Sequence, residues 1–75
     1  MNLFNFIKDN FISGEWKDIS PKKIYSLLEA KKPFEQKSIL KILSSLEDEG
    51  VIVFSDGKYI SFEFSNFIKG NLRGN

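Results

Sequence analysis

The side chains of this 75-residue chain that could do chemistry are carboxylates and lysines. Cysteine and histidine are absent, which excludes thiolate chemistry, disulfides, imidazole acid–base catalysis and zinc sites of the usual kind. Metal-assisted hydrolysis needs several carboxylates converging on one point. Asp9, Asp18, Glu29, Asp56 and Glu63 fall on separate stretches of the chain. Glu47, Asp48 and Glu49 are consecutive, so on a helix they point about 100° apart. A glycine-rich phosphate loop is also missing. The chain is therefore expected to have no catalytic residue, no metal ligand and no cofactor of its own.

Lysine points to a different chemistry, the neutralisation of phosphate. Eleven basic residues stand against ten acidic ones, a net charge of +1, so no field spanning the whole molecule would draw in nucleic acid. The distribution is less even. Residues 1–34 hold six lysines and four acids, and residues 35–49 hold two lysines and four acids. The expected contact residues are Lys22 and Lys23, Lys37 and Lys41, and Lys58, with Lys31 and Lys32 near them. Lysine offers point charges rather than the bidentate base contacts of arginine, and the one arginine is Arg73. Binding through these residues would be weak, salt-sensitive and indifferent to sequence. An ordinary solvated surface fits the same lysines.

The elements that must position these side chains can be read in order. Asn2 caps a first helix from Leu3 to about Ile12, with Leu3, Phe4, Ile7 and Phe11 on its buried stripe and Phe6 beside them; Gly14 ends it. Glu15 to Ile19 is expected as a small edge strand, with Trp16 as a lid on the core. Ser20-Pro21 starts a second helix, a serine cap followed by proline at the first helical position. Ile19 and Ile24 stand at the positions of a hydrophobic staple. This helix is expected to run to about Ala30, with Ile24, Leu27 and Leu28 facing inward. Lys31 to Phe34 is the expected corner before a third helix, Glu35 to Glu49.

In that third helix Ile39, Ile42, Leu43 and Leu46 recur at i, i+3, i+4 and i+7, a single apolar stripe. Lys37, Lys41, Ser44, Ser45 and Asp48 take the opposite face. Gly50 stands where helices commonly end in a left-handed residue. Asp56-Gly57 predicts a two-residue hairpin turn, which pairs Phe54 with Tyr59, Val53 with Ile60 and Val51 with Phe62. Paired residues share a face. Val51, Val53, Ile60 and Phe62 are expected to close over the helices, leaving Phe54 and Tyr59 outside. An outward Tyr59 joins the candidate nucleic-acid contacts, since exposed rings stack on unpaired bases. A cross-strand aromatic pair that stabilises the hairpin, or packing on a following domain, are the other readings of those two rings.

The resulting expectation is an α+β fold: a small winged helix-turn-helix, three helices followed by a β-hairpin wing. Residues 1–64 form this domain. Residues 65–75, rich in glycine and asparagine, read as a linker and the start of something further. The apolar opening is broken by Asn5, Lys8, Asp9 and Asn10 and approaches no membrane-spanning length, so a soluble, cytoplasmic monomer is expected.

The order of these features is similar to the amino-terminal region of the ribonuclease R family, the bacterial RNB-type 3′→5′ exoribonucleases. Leu46-Glu47-Asp48-Glu49-Gly50-Val51-Ile52 resembles the family's run from the third helix into a strand. Gly57-Lys58-Tyr59 stands where the family has a Gly-Arg/Lys-Tyr turn. Phe67-Ile68-Lys69-Gly70-Asn71-Leu72-Arg73-Gly74-Asn75 resembles the approach to a first cold-shock domain. The resemblance implies a fragment of a longer enzyme, continuing through cold-shock domains, a catalytic domain that holds Mg²⁺ with aspartates, and an S1 domain. It implies no catalytic role for this stretch. Its implied role is to help engage structured RNA, with Lys37, Lys41 and Lys58 at the contact positions and the cold-shock domains as neighbours. From the residues alone, a protein-interaction or intramolecular docking module, using Glu47 to Glu49 or Phe54 and Tyr59, stays open. So does a DNA-binding regulator.

Overall fold

A computed structural model describes residues 2–65 of the chain. It is a small α+β domain in the order α1 (Leu3–Ile12), α2 (Pro21–Leu27), α3 (Pro33–Asp48), β1 (Ile52–Ser55) and β2 (Lys58–Ser61). Residues 62–65 are helical. The tail expected as a linker, and the part of the family resemblance that rests on Phe67 to Asn75, lie outside the described residues.

The helix boundaries follow from local chemistry. The Asn5 N–H donates to Asn2 Oδ1 at 3.2 Å, and the Lys23 N–H to Ser20 Oγ at 3.2 Å, so both expected caps form. Helix α3 begins two residues earlier than its apolar stripe suggests. Pro33 occupies its first turn, and the Lys32 N–H donates to Glu35 Oε1 at 3.0 Å. Proline at this position gives up only an N–H that has no intrahelical partner.

Helix α3 ends in a Schellman motif. Gly50, at φ +78°, donates to the Glu47 carbonyl at 3.0 Å and Val51 to the Leu46 carbonyl at 2.9 Å. Helix α2 ends the same way, three residues short of the expected Ala30. There Glu29 takes the left-handed position at φ +55°, with Glu29 donating to Ser26 and Ala30 to Tyr25. The early stop reorients the end of α2. Ala30 is buried, while Leu27, expected inside, is 49% exposed. The Gln36 amide then closes the corner by donating to the Ala30 carbonyl at 3.0 Å.

The core gathers Ile7 and Phe11 of α1, Ile24 of α2, Ile39, Leu43 and Leu46 of α3, and Ile19, Ala30, Ile52 and Tyr59. Leu3, expected on the buried stripe of α1, stays exposed. The staple pair Ile19 and Ile24 are both buried, and Trp16 lies edge-on to Phe6 and Phe11 at ring separations of 6.2 and 5.5 Å.

The hairpin has the expected register, Val53 opposite Ile60 and Phe54 opposite Tyr59, around a turn in which Asp56 and Gly57 both have positive φ. Its faces are reversed. Ile52 and Tyr59 point into the core at 2% and 7% exposure, Val53 and Ile60 are half-buried, and Phe62 is exposed. The ladder stops at Ser61, so the expected Val51–Phe62 pair lies outside it. One backbone bond survives there, Phe62 N–H to the Val51 carbonyl at 2.8 Å, before the chain turns helical with Ser61 Oγ accepting from the Phe64 N–H. The small strand expected at Glu15 to Ile19 reduces to one bridge. Ile19 and Tyr59 exchange two backbone bonds of 2.9 and 2.7 Å.

Candidate nucleic-acid interface

The six residues expected to contact nucleic acid do not form one surface. Lys37 and Lys41 lie one turn apart on the exposed face of α3, opposite the buried stripe, and line one shallow groove with Phe34, Ser38 and Leu40. Lys23, in the first turn of α2, and Lys58, at the start of β2, line a second depression with Lys17, Trp16 and Leu27. Lys22 points away from Lys23, as adjacent helical residues must, and joins Lys31, Tyr25 and Gln36 at the α2–α3 corner. All five lysines are exposed.

Tyr59 is the exception. Its ring is buried against Phe11, with centroids 6.5 Å apart, and against Phe54 across the hairpin at 4.7 Å. It therefore cannot present a face to a base while the domain is folded. Burial, and then the nearby charge of Glu47 and the proximity of Tyr25, raise its phenol above the ordinary value of 10.0. Phe54, half-exposed above it, is the cross-strand partner that the pairing predicted.

Charge pairing separates the lysines further. Lys58 Nζ lies 4.0 Å from Asp18 Oδ2, which places a negative charge at the hairpin end of the second depression. Both groups are well exposed, so the pair contributes little to stability, yet it lowers the local positive potential. Lys8 and Glu49 form the other ion pair among the described residues, at 3.9 Å. Lys37 and Lys41 enter neither pair. Lys22, Lys23 and Lys31 enter neither pair as well. Glu15 and Asp18 line the second depression, however, and Glu29 the corner, whereas no carboxylate among the described residues lines the α3 groove. Glu47 and Asp48 sit exposed at the far end of the same helix.

Two residues of the α3 groove escaped the sequence reading. Phe34 is 66% exposed and Leu40 41% exposed. With a helix start at Glu35, Phe34 belongs to the turn. With the actual start at Pro33 it stands at i−3 from Lys37 and i−7 from Lys41, on their face. The usable signal was proline at the first helical position. Among the described residues no group of three or more acidic side chains is placed to hold a metal ion, and no helix is long and apolar enough to cross a membrane. Comparison with protein-family models, with curated proteins and with solved structures gives no match for this chain.

Proposed function

We propose that this domain is a winged helix-turn-helix that binds RNA as a non-catalytic accessory module of a ribonuclease R-like 3′→5′ exoribonuclease. The observation that carries the reading is the position of Lys37 and Lys41, side by side on the solvent face of α3 and unpaired with any carboxylate among the described residues. A third helix presenting its outer face to a nucleic-acid backbone is how helix-turn-helix domains dock. The Ile19–Tyr59 bridge supports the winged form of that fold, because it sets a strand-like segment between α1 and α2 beside β2. The residues that resemble the ribonuclease R family run from the end of α3 into β1 (Leu46 to Ile52) and from the hairpin turn into β2 (Gly57 to Tyr59); their order along the chain supports the reading.

Titration of the isotopically labelled chain with a duplex RNA at low ionic strength tests the reading. The backbone signals of residues 34–41 are expected to shift, with smaller shifts at Lys23 and Lys58. Replacing Lys37 and Lys41 together with alanine is expected to abolish them. A titration that leaves the α3 face unmoved, with the duplex and then with a single strand of the same RNA, rejects direct binding.

One observation favours a second reading, docking onto another protein or onto a neighbouring domain. Glu47, Asp48 and Glu49 form an exposed acidic end on α3, and Phe54 is exposed nearby on β1. Shifts confined to these residues on adding a cold-shock domain, with the lysine face silent, would identify that role.

A further inference from the structure

Phe34 is the most exposed of the large apolar side chains on the described surface, at 66%. It sits in the first turn of α3 and is not a stray residue of a loop. It lines two shallow grooves. Lys37, Ser38, Leu40 and Lys41 line one, and Tyr25, Pro33, Gln36, Lys37 and Leu40 line the other. Phe34, Lys37 and Leu40 line both grooves. The Ser38 hydroxyl donates to the Phe34 carbonyl at 3.0 Å, and the Gln36 amide of the second groove to the Ala30 carbonyl at 3.0 Å. What the grooves offer a ligand is an aromatic face, an apolar floor and lysine ammonium groups.

We infer that Phe34 stacks on an unpaired nucleobase of an RNA strand whose flanking phosphates are held by Lys37 and Lys41. This rests on the reading of the domain as an RNA-binding module and deepens it, by assigning single-stranded RNA as the class bound at the start of α3. Charge complementarity selects the occupant. The groove pairs an exposed ring with cations four residues apart, about 6 Å along a helix axis, and a nucleic-acid strand supplies flat apolar bases and regularly spaced anions together. Base-on-aromatic stacking tolerates any sequence because every base has a π face. That suits a site whose charged groups are lysines, which do not read bases.

Fluorescence anisotropy at low salt with the full 75-residue chain tests the inference. The probes are a labelled single-stranded RNA and an abasic strand with the same number of phosphates. Phe34→Ala is expected to weaken binding of the base-containing strand roughly tenfold and to leave the abasic strand unaffected. Phe34→Trp is expected to retain binding, whereas Phe34→Leu, apolar but without a ring face, is expected to behave as alanine. Phe34 is exposed, so these variants should keep the far-ultraviolet dichroism and melting temperature of the parent chain. RNA binding that Phe34→Ala or Phe34→Leu leaves intact overturns the stacking role alone, and points instead to an apolar contact or to lysines acting by themselves. If neither strand binds the unaltered chain at low salt, the RNA-binding reading falls and this inference with it.

Discussion

Tyr59 shows how one residue can belong to the chemistry expected of a surface and yet serve the interior. Its type and its place beside the turn fit a stacking platform, but its ring lies between Phe11 and Phe54. Burial, with Glu47 as the next cause, raises its phenol above the ordinary value of 10.0. The folded state therefore holds the phenolic proton more tightly than the unfolded chain does. Between the unfolded and folded values the native state binds more protons, so stability falls as pH rises. This contribution is intact below about pH 10, the ordinary tyrosine value, and is lost as pH climbs through the higher folded value. Tyr59→Phe keeps the ring and removes the proton. Urea melts at pH 8 and at strongly alkaline pH are expected to show a smaller alkaline loss for the variant than for the parent.

At the scale of elements, the helices were legible because their signals are local. Asn2, Ser20, Gly14, Gly50 and Asp56-Gly57 each act on the backbone within a few residues. The hairpin's register was legible for the same reason, since the turn dictates which residues pair. Its orientation was not. Val51, Val53 and Ile60 on one face and Ile52, Phe54 and Tyr59 on the other are both apolar stripes, so alternation leaves the buried face undetermined. The choice is made by contacts distant in sequence, the Ile19–Tyr59 bridge and the packing of Ile52 and Tyr59 into the helical core.

The Val51 backbone also has a prior task. Its N–H completes the Schellman motif, and the strand begins one residue later at Ile52. The candidate site was legible as a set of lysines but not as a surface, because the first turn of α3 decides which neighbours they share.

The two Schellman ends differ in one informative respect, glycine at Gly50 against a glutamate at Glu29. A β-carbon added at Gly50 would meet nothing within 4 Å, so Gly50→Ala costs only the left-handed backbone penalty. That penalty is about 1 kcal/mol. Glu29 already bears it, is exposed and enters neither ion pair among the described residues. Glu29→Gly is expected to stabilise the domain by up to about 1 kcal/mol, offset in part by the extra chain entropy of glycine in the unfolded state. Chemical denaturation should show shifts of opposite sign for the two variants. Equal destabilisation by both would mean that the α2 end is held by its side chain and not by its backbone geometry.

Over the whole molecule, a net charge of +1 leaves RNA binding to local groups, and salt dependence measures how many take part. If Lys37, Lys41 and Lys58 each neutralise one phosphate of a single strand, the logarithm of the binding constant should fall with the logarithm of salt at a slope of about −2. Removing Lys37 and Lys41 together should bring the slope to roughly −0.7. If Asp18, 4.0 Å from Lys58, already compensates that lysine, the slope of the unaltered chain should instead be about −1.4, and Lys58→Ala should leave it unchanged. Phe34→Ala should weaken binding without altering the slope, since a ring displaces no counterions. Affinity and slope thus separate the two kinds of contact on one helix face. A slope near zero for the unaltered chain, at any affinity, would mean that phosphate is not what these lysines meet.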